Sequence, residues 1–478
     1  MKQTKIKHLI PIFAGLMASL LIYAMDSTVF STAMKKIVED IGGKNYYAWP
    51  FTSYLLCSTI AIPISGAVSD LRGHKPTFLC GIALFLTGSS LCGISGNMTE
   101  LILFRALQGA GGGVIVSGVF TIVADLFPPA ERGKYTGLIS SMYGLANLVG
   151  PVTGGFLSDR FGWRWIFYLN LPIGIFAFVT LFFFLPDHRP EDGRKADIPG
   201  MIVLAMILSP VLISLSLAGT VLSWNSPWIA GMAAFAVLML GCFILLQGRT
   251  ENSVLPSEFF TNRSINMALA LSFFNQMCLI GAVVYLPCFE QDILKMSATK
   301  SGMVLAPMMI SLVLSANIVG RLISRTNQYR IWSICGFCII GFSLWRLSVM
   351  SGSTGCSPII VNAILMGVGV GMNMPVGNVN AQNAVPRWQI GSVTSAVTLF
   401  RNIGTATGSA FFGAIMTLAQ SGSLFGKSPG TGGALSRVFQ TGIIVAMLGM
   451  LSASFLRDAK FSEPGHNPAF DQSGEILP

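Results

Sequence analysis

Charge is what this sequence has least of. Asp, Glu, Lys and Arg make up only 10% of its 478 residues, too few to solvate the surface of a water-soluble protein of this length. Histidine occurs four times, in loops, tails or at the edge of an apolar run, so no serine or cysteine pairs with one for nucleophilic catalysis. No Walker-type phosphate loop is present, which removes ATP as a direct energy source. Gly367, Gly369 and Gly371 lack the third glycine and the preceding strand of a dinucleotide turn. The nine cysteines lie mostly within apolar runs. Cys335 and Cys338 form a CxxC, but on an apolar helix, where they read as packing residues. Neither an enzyme, nor a cofactor, nor a metal site is expected.

What the chain has is hydrocarbon. Hydrophobic residues reach 52% and the mean hydropathy is +0.67, the composition of a polytopic protein whose solvent is the lipid bilayer. Fourteen apolar runs, from 8–33 to 437–456, are each close to or above the ~20 residues that a span needs. An even number of spans puts both termini on one side, and 18 of the 30 Lys and Arg fall on that side against 9 on the other. The positive-inside rule then places both termini in the cytoplasm. Topology accounts for the formal net charge of +10, leaving no ground for a nucleic-acid partner. The first run follows Lys2, Lys5 and Lys7 and reads as a retained span, not a cleaved signal.

Glycine and proline punctuate these runs where a soluble helix would not bear them. Gly150-Pro151-Val152-Thr153-Gly154, continued by Gly155, suits a membrane helix that packs closely and bends. After the second run stands Gly66-Ala-Val-Ser-Asp70-Leu-Arg72-Gly73-His74-Lys75, which resembles the signature loop of the major facilitator superfamily. Arg105 with Gln108, Gly109, Gly111 and Gly112 follows on the fourth run. Gly144 through Gly150-Pro151 to Gly154-Gly155 on the fifth is similar to that superfamily's antiporter motif. Met25-Asp26-Ser-Thr-Val and Trp163-Arg-Trp-Ile-Phe-Tyr-Leu-Asn-Leu-Pro-Ile-Gly174 resemble its fourteen-helix drug:proton antiporters of the multidrug type.

The resemblance implies an all-α membrane protein of two six-helix bundles, residues 1–190 and 263–456, each built of inverted repeats. Two inserted helices lie within 191–262 and a polar, disordered tail spans 457–478. A weak copy of the signature loop, Gly320-Arg-Leu-Ile-Ser-Arg325, lacks the acid of the first. The loop residues Gly66, Asp70, Arg72, Gly73 and Lys75 would then gate the protein, with Asp70 at the positive end of the helix beginning near Gly391 and Asp125 paired to Arg72. Gly150 and Gly154 would form a strip against the second bundle.

Asp26 is the one acid deep within a span, where a carboxylate costs about 2.5–3.5 kcal/mol and needs a partner, a cavity or a proton. Asp26 and Arg105 fall at the same depth, roughly 10 Å below the outer surface, and by resemblance their helices line a central cavity. Asp26 is expected to exchange a proton with a competing cationic substrate; the alternative is a permanently ionised pair that ties spans one and four. Gln108 shares the helical face of Arg105, and Tyr23 and Phe30 flank Asp26. With Asn147, Asn275, Gln276, Asn373 and Arg401 they are expected to line the substrate cavity. Glu290 is expected at the surface. The chain therefore reads as a monomeric exporter of amphipathic, cationic or neutral small molecules in exchange for protons across a bacterial cytoplasmic membrane. A dedicated exporter of one metabolite or siderophore is the alternative, and a transporter-like sensor a further one.

Overall fold

The computed structural model describes residues 9–43, 46, 49–187, 197–217, 226–247, 256–296, 298–350, 354–420 and 430–456. The tail 457–478 and residues 188–196 and 248–255, on either side of the inserted pair, lie outside them. Every regular element described is helical. The first half contains α1 (Leu9–Ile41), α2 (Trp49–Arg72), α3 (His74–Ile94), α4 (Met98–Leu126), α5 (Pro129–Arg160), the single turn α6 (Trp165–Tyr168) and α7 (Asn170–Phe184). Then come α8 (Ile198–Leu217), α9 (Pro227–Gln247) and the short α10 (Ser257–Thr261). The second half contains α11 (Arg263–Cys288), α12 (Ala298–Thr326), α13 (Arg330–Ser348), α14 (Cys356–Asn383), α15 (Ile390–Gln420) and α16 (Gly430–Ser454).

Among the described residues, twelve helices are long and apolar enough to cross a membrane, with α6 and α7 counted as one. Two further long helices, α5 with 32 residues and α15 with 31, are not among them. Gly, Ser, Thr and Ala stand in both where the other spans carry aliphatic side chains.

Small residues set how close the helices come. On α4, Gly109 and Gly113 lie against the backbone carbonyls of Tyr54 and Ser58 on α2, while Gly111 meets the backbone of Phe85 on α3. A Cβ at any of the three would overlap those atoms, so α4 is wedged between two neighbours by backbone contact, as small-residue packing in membranes requires. Prolines 63, 210, 287, 307 and 375 sit inside helices, tolerated where neighbours re-satisfy the freed carbonyls. At the start of α4, Asn97 accepts from Glu100 N at 2.9 Å and Glu100 accepts from Gly96 N at 2.8 Å, a reciprocal cap.

In the first half α1 packs on α5 and α7, α2 on α4, and α3 on α4 and α7; in the second, α11 packs on α15, α16 and α14, α12 on α14, and α13 on α14 and α16. The halves meet along two seams, α5 with α12 and α2 with α15. The inserted pair lies on the second seam, where α8 touches α2 and α15 and α9 leans on α8. Apart from α8, α9 faces outward: Trp228 is 74% and Leu245 75% exposed, a surface suited to acyl chains.

The end of the molecule that carries Gly73 is its basal end, the opposite end distal. Gly73, at φ 98°, links α2 to α3 in a conformation that favours glycine.

Candidate functional site

Asp26 is enclosed inside the first bundle rather than open to a central cavity, with 4% of its surface exposed; Arg105 and Gln108 have none. Arg105 donates to Asp26 Oδ2 at 2.5 Å, Gln108 Nε2 to Oδ1 at 2.7 Å, and Asn170 Nδ2 to Oδ1 at 3.3 Å. Arg105 also donates to Gln108 Oε1 at 2.9 Å. Asn170 further donates to Ser89 Oγ at 3.1 Å, and Ser89 to the Phe167 carbonyl at 2.9 Å. Three helices of one bundle thus meet at a single carboxylate, and a fourth joins the network through Ser89. The guanidinium is sandwiched between Phe30 and Tyr54, whose ring centroids lie 4.3 and 4.2 Å from it, an arrangement that stabilises a desolvated cation.

Phe30 is therefore not a cavity wall. It is 1% exposed and packs on Phe51 and Phe167 within the bundle core. Tyr23 is half-buried, beside Tyr54, Ser58, Asn402 and Arg401 at the junction of the two halves. Asn170 was not singled out from the sequence. Its only signal was its place in the run Trp163–Gly174, three residues after the aromatic Phe167 whose carbonyl closes the network.

The second-half polar residues divide in two. Asn373 turns into its own bundle, accepting from Ser333 Oγ at 2.6 Å and donating to the Gly369 carbonyl at 3.3 Å, so it does not line the cavity. Asn275 likewise reaches the Val370 carbonyl at 3.4 Å, while Gln276 is half-buried. Arg401 lies across the junction, its guanidinium 5.6 Å from the ring of Phe120 on α4. The side chain of Asn147 is outside the described set. Glu290, expected at the surface, is fully buried and accepts from Ser301 Oγ at 2.5 Å. A π turn over Phe289–Ile293 rotates it inward toward α12. Cys335 and Cys338 are exposed on α13, not packed in the core.

At the basal end the halves are latched. Asp70 accepts from Gly391 N at 2.9 Å, Ser392 N at 2.7 Å and Ser392 Oγ at 2.7 Å. A carboxylate there caps the first turn of α15 and meets its positive dipole end. Gly66 lies against the Gly391 carbonyl and the Ser395 side chain, where a Cβ of its own would not fit. Lys75 donates to the Leu185 carbonyl beyond α7 at 2.7 Å. Arg72 is exposed, and among the described residues no ion pair joins it to Asp125; that expected contact is not made.

Sequence reasoning missed Arg132. Only 3% exposed, it donates to the Ala124 carbonyl at 3.0 Å on its own side and crosses to the Gln382 carbonyl at 3.1 Å and Asn383 Oδ1 at 2.9 Å at the end of α14. A cation bridging the negative ends of α4 and α14 is favourable to both. Its sequence looked like ordinary basic loop composition, and nothing local distinguished it. Opening the basal end must break these bonds. Replacing Arg132 by Ala is expected to raise basal-side labelling of a cysteine at Ser395 about tenfold in a background without native cysteines, the population change from losing one charged hydrogen bond.

The glycines of α5 divide between its two sides, with Gly144 of the antiporter motif on one and Gly150 and Gly154 on the other. Gly133, Gly137 and Gly144 face α12: Cβ atoms there would stand 2.5 Å from the Gly320 carbonyl, 2.6 Å from the Ala316 carbonyl and 3.0 Å from the Met309 carbonyl. Gly150 and Gly154 instead face α1, against Thr28 and against Thr32 and Val29, and Gly155 opens onto free space. The strip expected at the second bundle therefore lies inside the first. Pro151 belongs to α5, but its side chain is outside the described set.

Every hydrogen bond described between the halves lies basally or, as for Asn402 to Thr59 Oγ1 at 3.3 Å, near mid-helix. Distal contacts stay within one bundle. Lys36 pairs with Asp159 at 2.6 Å and Arg164 with Asp40 at 2.7 Å, where the Trp163 indole also donates at 2.9 Å. The Trp163 and Arg164 bonds hold the exposed Asp40 carboxyl below the usual carboxylate range. This tie is complete at neutral pH and is lost as pH falls through that lowered value.

Residues 16–409 match the family described as Major Facilitator Superfamily. The chain is 34% identical over 423 residues to the Multidrug transporter protein MdtP of Bacillus subtilis (strain 168), covering 88% of this chain and 77% of that protein. It is 34% identical over 407 residues to Multidrug resistance protein 3 of the same strain, covering 84% and 78%. Efflux pump FUS6 of Gibberella fujikuroi is 29% identical over 412 residues, covering 84% and 74%. In structure the chain is similar to the human organic anion transporter MFSD10 (TETRAN), with TM-score 0.65, 15% identity and coverage of 93% and 98%. The proton:xylose symporter XylE matches with TM-score 0.65, 15% identity and coverage of 92% and 94%.

Proposed function

Since the chain belongs to the major facilitator superfamily and is an efflux transporter of that family, we propose that it exports amphipathic small molecules in exchange for protons, by alternating access. The observation that carries this reading is the enclosed carboxylate: Asp26 is held by Arg105, Gln108 and Asn170 inside helices that must shift to release it.

Three donors, one of them the Arg105 cation, hold the Asp26 carboxyl group. A proton arriving at Asp26 removes the counter-charge of Arg105, and a buried cation without its partner is costly. Proton binding is thereby linked to a rearrangement of α1 against α4. Because Asp26 is already fully bonded and enclosed, a substrate acts on it indirectly, by favouring one arrangement of the helices, rather than by direct competition for the carboxylate. The latched basal end with its Asp70, Arg132 and Gln382 bonds supports a state open toward the distal side.

The basal face carries the excess of Lys and Arg, which makes it cytoplasmic, with both termini there. Helices α5 and α15 span about 45 Å each and complete fourteen crossings. The Bacillus relatives favour a bacterial cytoplasmic membrane and a broad drug range over a single metabolite, and the protein acts as a monomer with protons and small amphipathic substrates as its partners.

Reconstituted in proteoliposomes with a pH dye in the lumen, the protein is expected to move protons on addition of a transported drug and to stop concentrating it when a protonophore is present. Substrate movement unaccompanied by protons would replace antiport with facilitated export.

A further inference from the structure

Two deep positive charges face the interior of the first bundle and its junction with the second, and only one of them has an acid. Arg105 is matched by Asp26. Arg401 is 8% exposed, and among the described residues no ion pair or hydrogen bond from its guanidinium to protein is made. Its guanidinium lies 5.6 Å from the ring of Phe120, on the opposite half. Arg401 lies eleven residues after Ile390 at the start of α15, roughly 16 Å along the helix axis, hence near mid-membrane. A cation so placed is costly and ordinarily marks a ligand path or has a partner.

Its surroundings suit an amphipathic guest. Tyr23 on α1 is half-buried at the same junction, with Ser58 and Asn402 beside its hydroxyl and Arg401 close enough to act on it electrostatically, so hydroxyl and amide groups share the region of the guanidinium while Phe120 and Tyr23 present rings. Asn402 ties the same stretch of α15 to Thr59. Asp26, which the sequence suggested as the attraction for cations, is neutralised and enclosed. Among the described residues Arg401 therefore keeps its positive charge at the mid-membrane part of the junction without an ion-paired acid, Asp70 lying at the basal end of α15.

We infer that Arg401 is the head-group site for an anionic substrate, so that the exported compounds include amphipathic carboxylates or sulfonates. A planar guanidinium binds such oxyanions through two parallel hydrogen bonds, and an aromatic face beside it receives the apolar body. The inference rests on the reading of the chain as an exporter whose substrate path runs between the halves. An anion leaving as a proton enters also moves charge in one sense twice, so an inside-negative potential drives both movements.

The test is equilibrium binding of 1-naphthoate, 1-naphthamide and 1-naphthylmethylammonium to the full chain in nanodiscs, with empty nanodiscs as the blank. Naphthoate is expected to bind about tenfold more tightly than naphthamide, the value of one charge-assisted contact. In Arg401→Gln the ratio is expected to fall below about two, and in Arg401→Lys to stay between these values, since an ammonium keeps the charge without the fork. Tightest binding of the ammonium, no measurable naphthoate binding, or an unchanged ratio in Arg401→Gln would overturn the inference. Proton movement is followed separately in proteoliposomes. A naphthoate preference that depends on Arg401 but comes without proton movement supports the anion site and counts against antiport alone.

Discussion

Replacing Asp26 by asparagine is expected to abolish substrate-driven proton movement and to lower thermal stability in the same step. Arg105 is wholly enclosed, and without its carboxylate it becomes a buried charge lacking a counter-ion, at a cost of about 3–5 kcal/mol. Because that cost by itself threatens folding, the informative protein is Asp26→Asn combined with Arg105→Gln. Two neutral amides in place of the ion pair keep hydrogen-bonding capacity with Gln108 and Asn170 and remove the unpaired charge, so thermal stability is expected to recover. Proton movement is not expected to return, since no carboxyl group is left in the described network. Full proton-coupled export by the double variant would make the pair a structural tie between α1 and α4.

Leucine in place of Gly137 is expected to cut export at least tenfold with little loss of folded protein. A Cβ at Gly137 stands 2.6 Å from the Ala316 carbonyl of α12, so a larger side chain holds the halves apart along their basal seam while each half keeps its own core. Leucine at Gly154 has a different expected effect. There the added atoms run into Thr32 and Val29 of α1, an overpacking within one bundle that costs about 1–3 kcal/mol or more and should show first as lower thermal stability and yield. Measuring export per folded molecule for the two variants separates them. Equal export defects with equal stability would mean that the two faces of α5 are not distinct in function.

The helices were legible because lipid imposes a simple rule: an apolar run long enough to cross must be helical. Depth along a helix was legible too, which is how Asp26 and Arg105 could be set opposite each other from residue counts alone. Rotation about the helix axis was much harder to read. Gly150 and Gly154 share a strip whichever neighbour they meet, and nothing in the pentad says that the neighbour is α1. The same limit applies to Phe30, which flanks Asp26 yet points into a core, and to Glu290, which a π turn rotates away from the surface. Asp125 and Arg72 have opposite charges near one membrane face, but Arg72 remains in solvent.

By itself the sequence determined the solvent, the helical class, the family resemblance and the depth of each charge, since these follow from composition and from a rise of about 1.5 Å per residue. The tertiary structure alone decided which charges are satisfied. Asn170 reaches Asp26 from a distant helix and is itself held by Ser89, Arg132 reaches a helix end 250 residues away, and Arg401 is left facing an aromatic ring. Such pairings depend on the rotation and contact of helices joined by long intervening segments, and no local pattern encodes the angle at which one helix meets another.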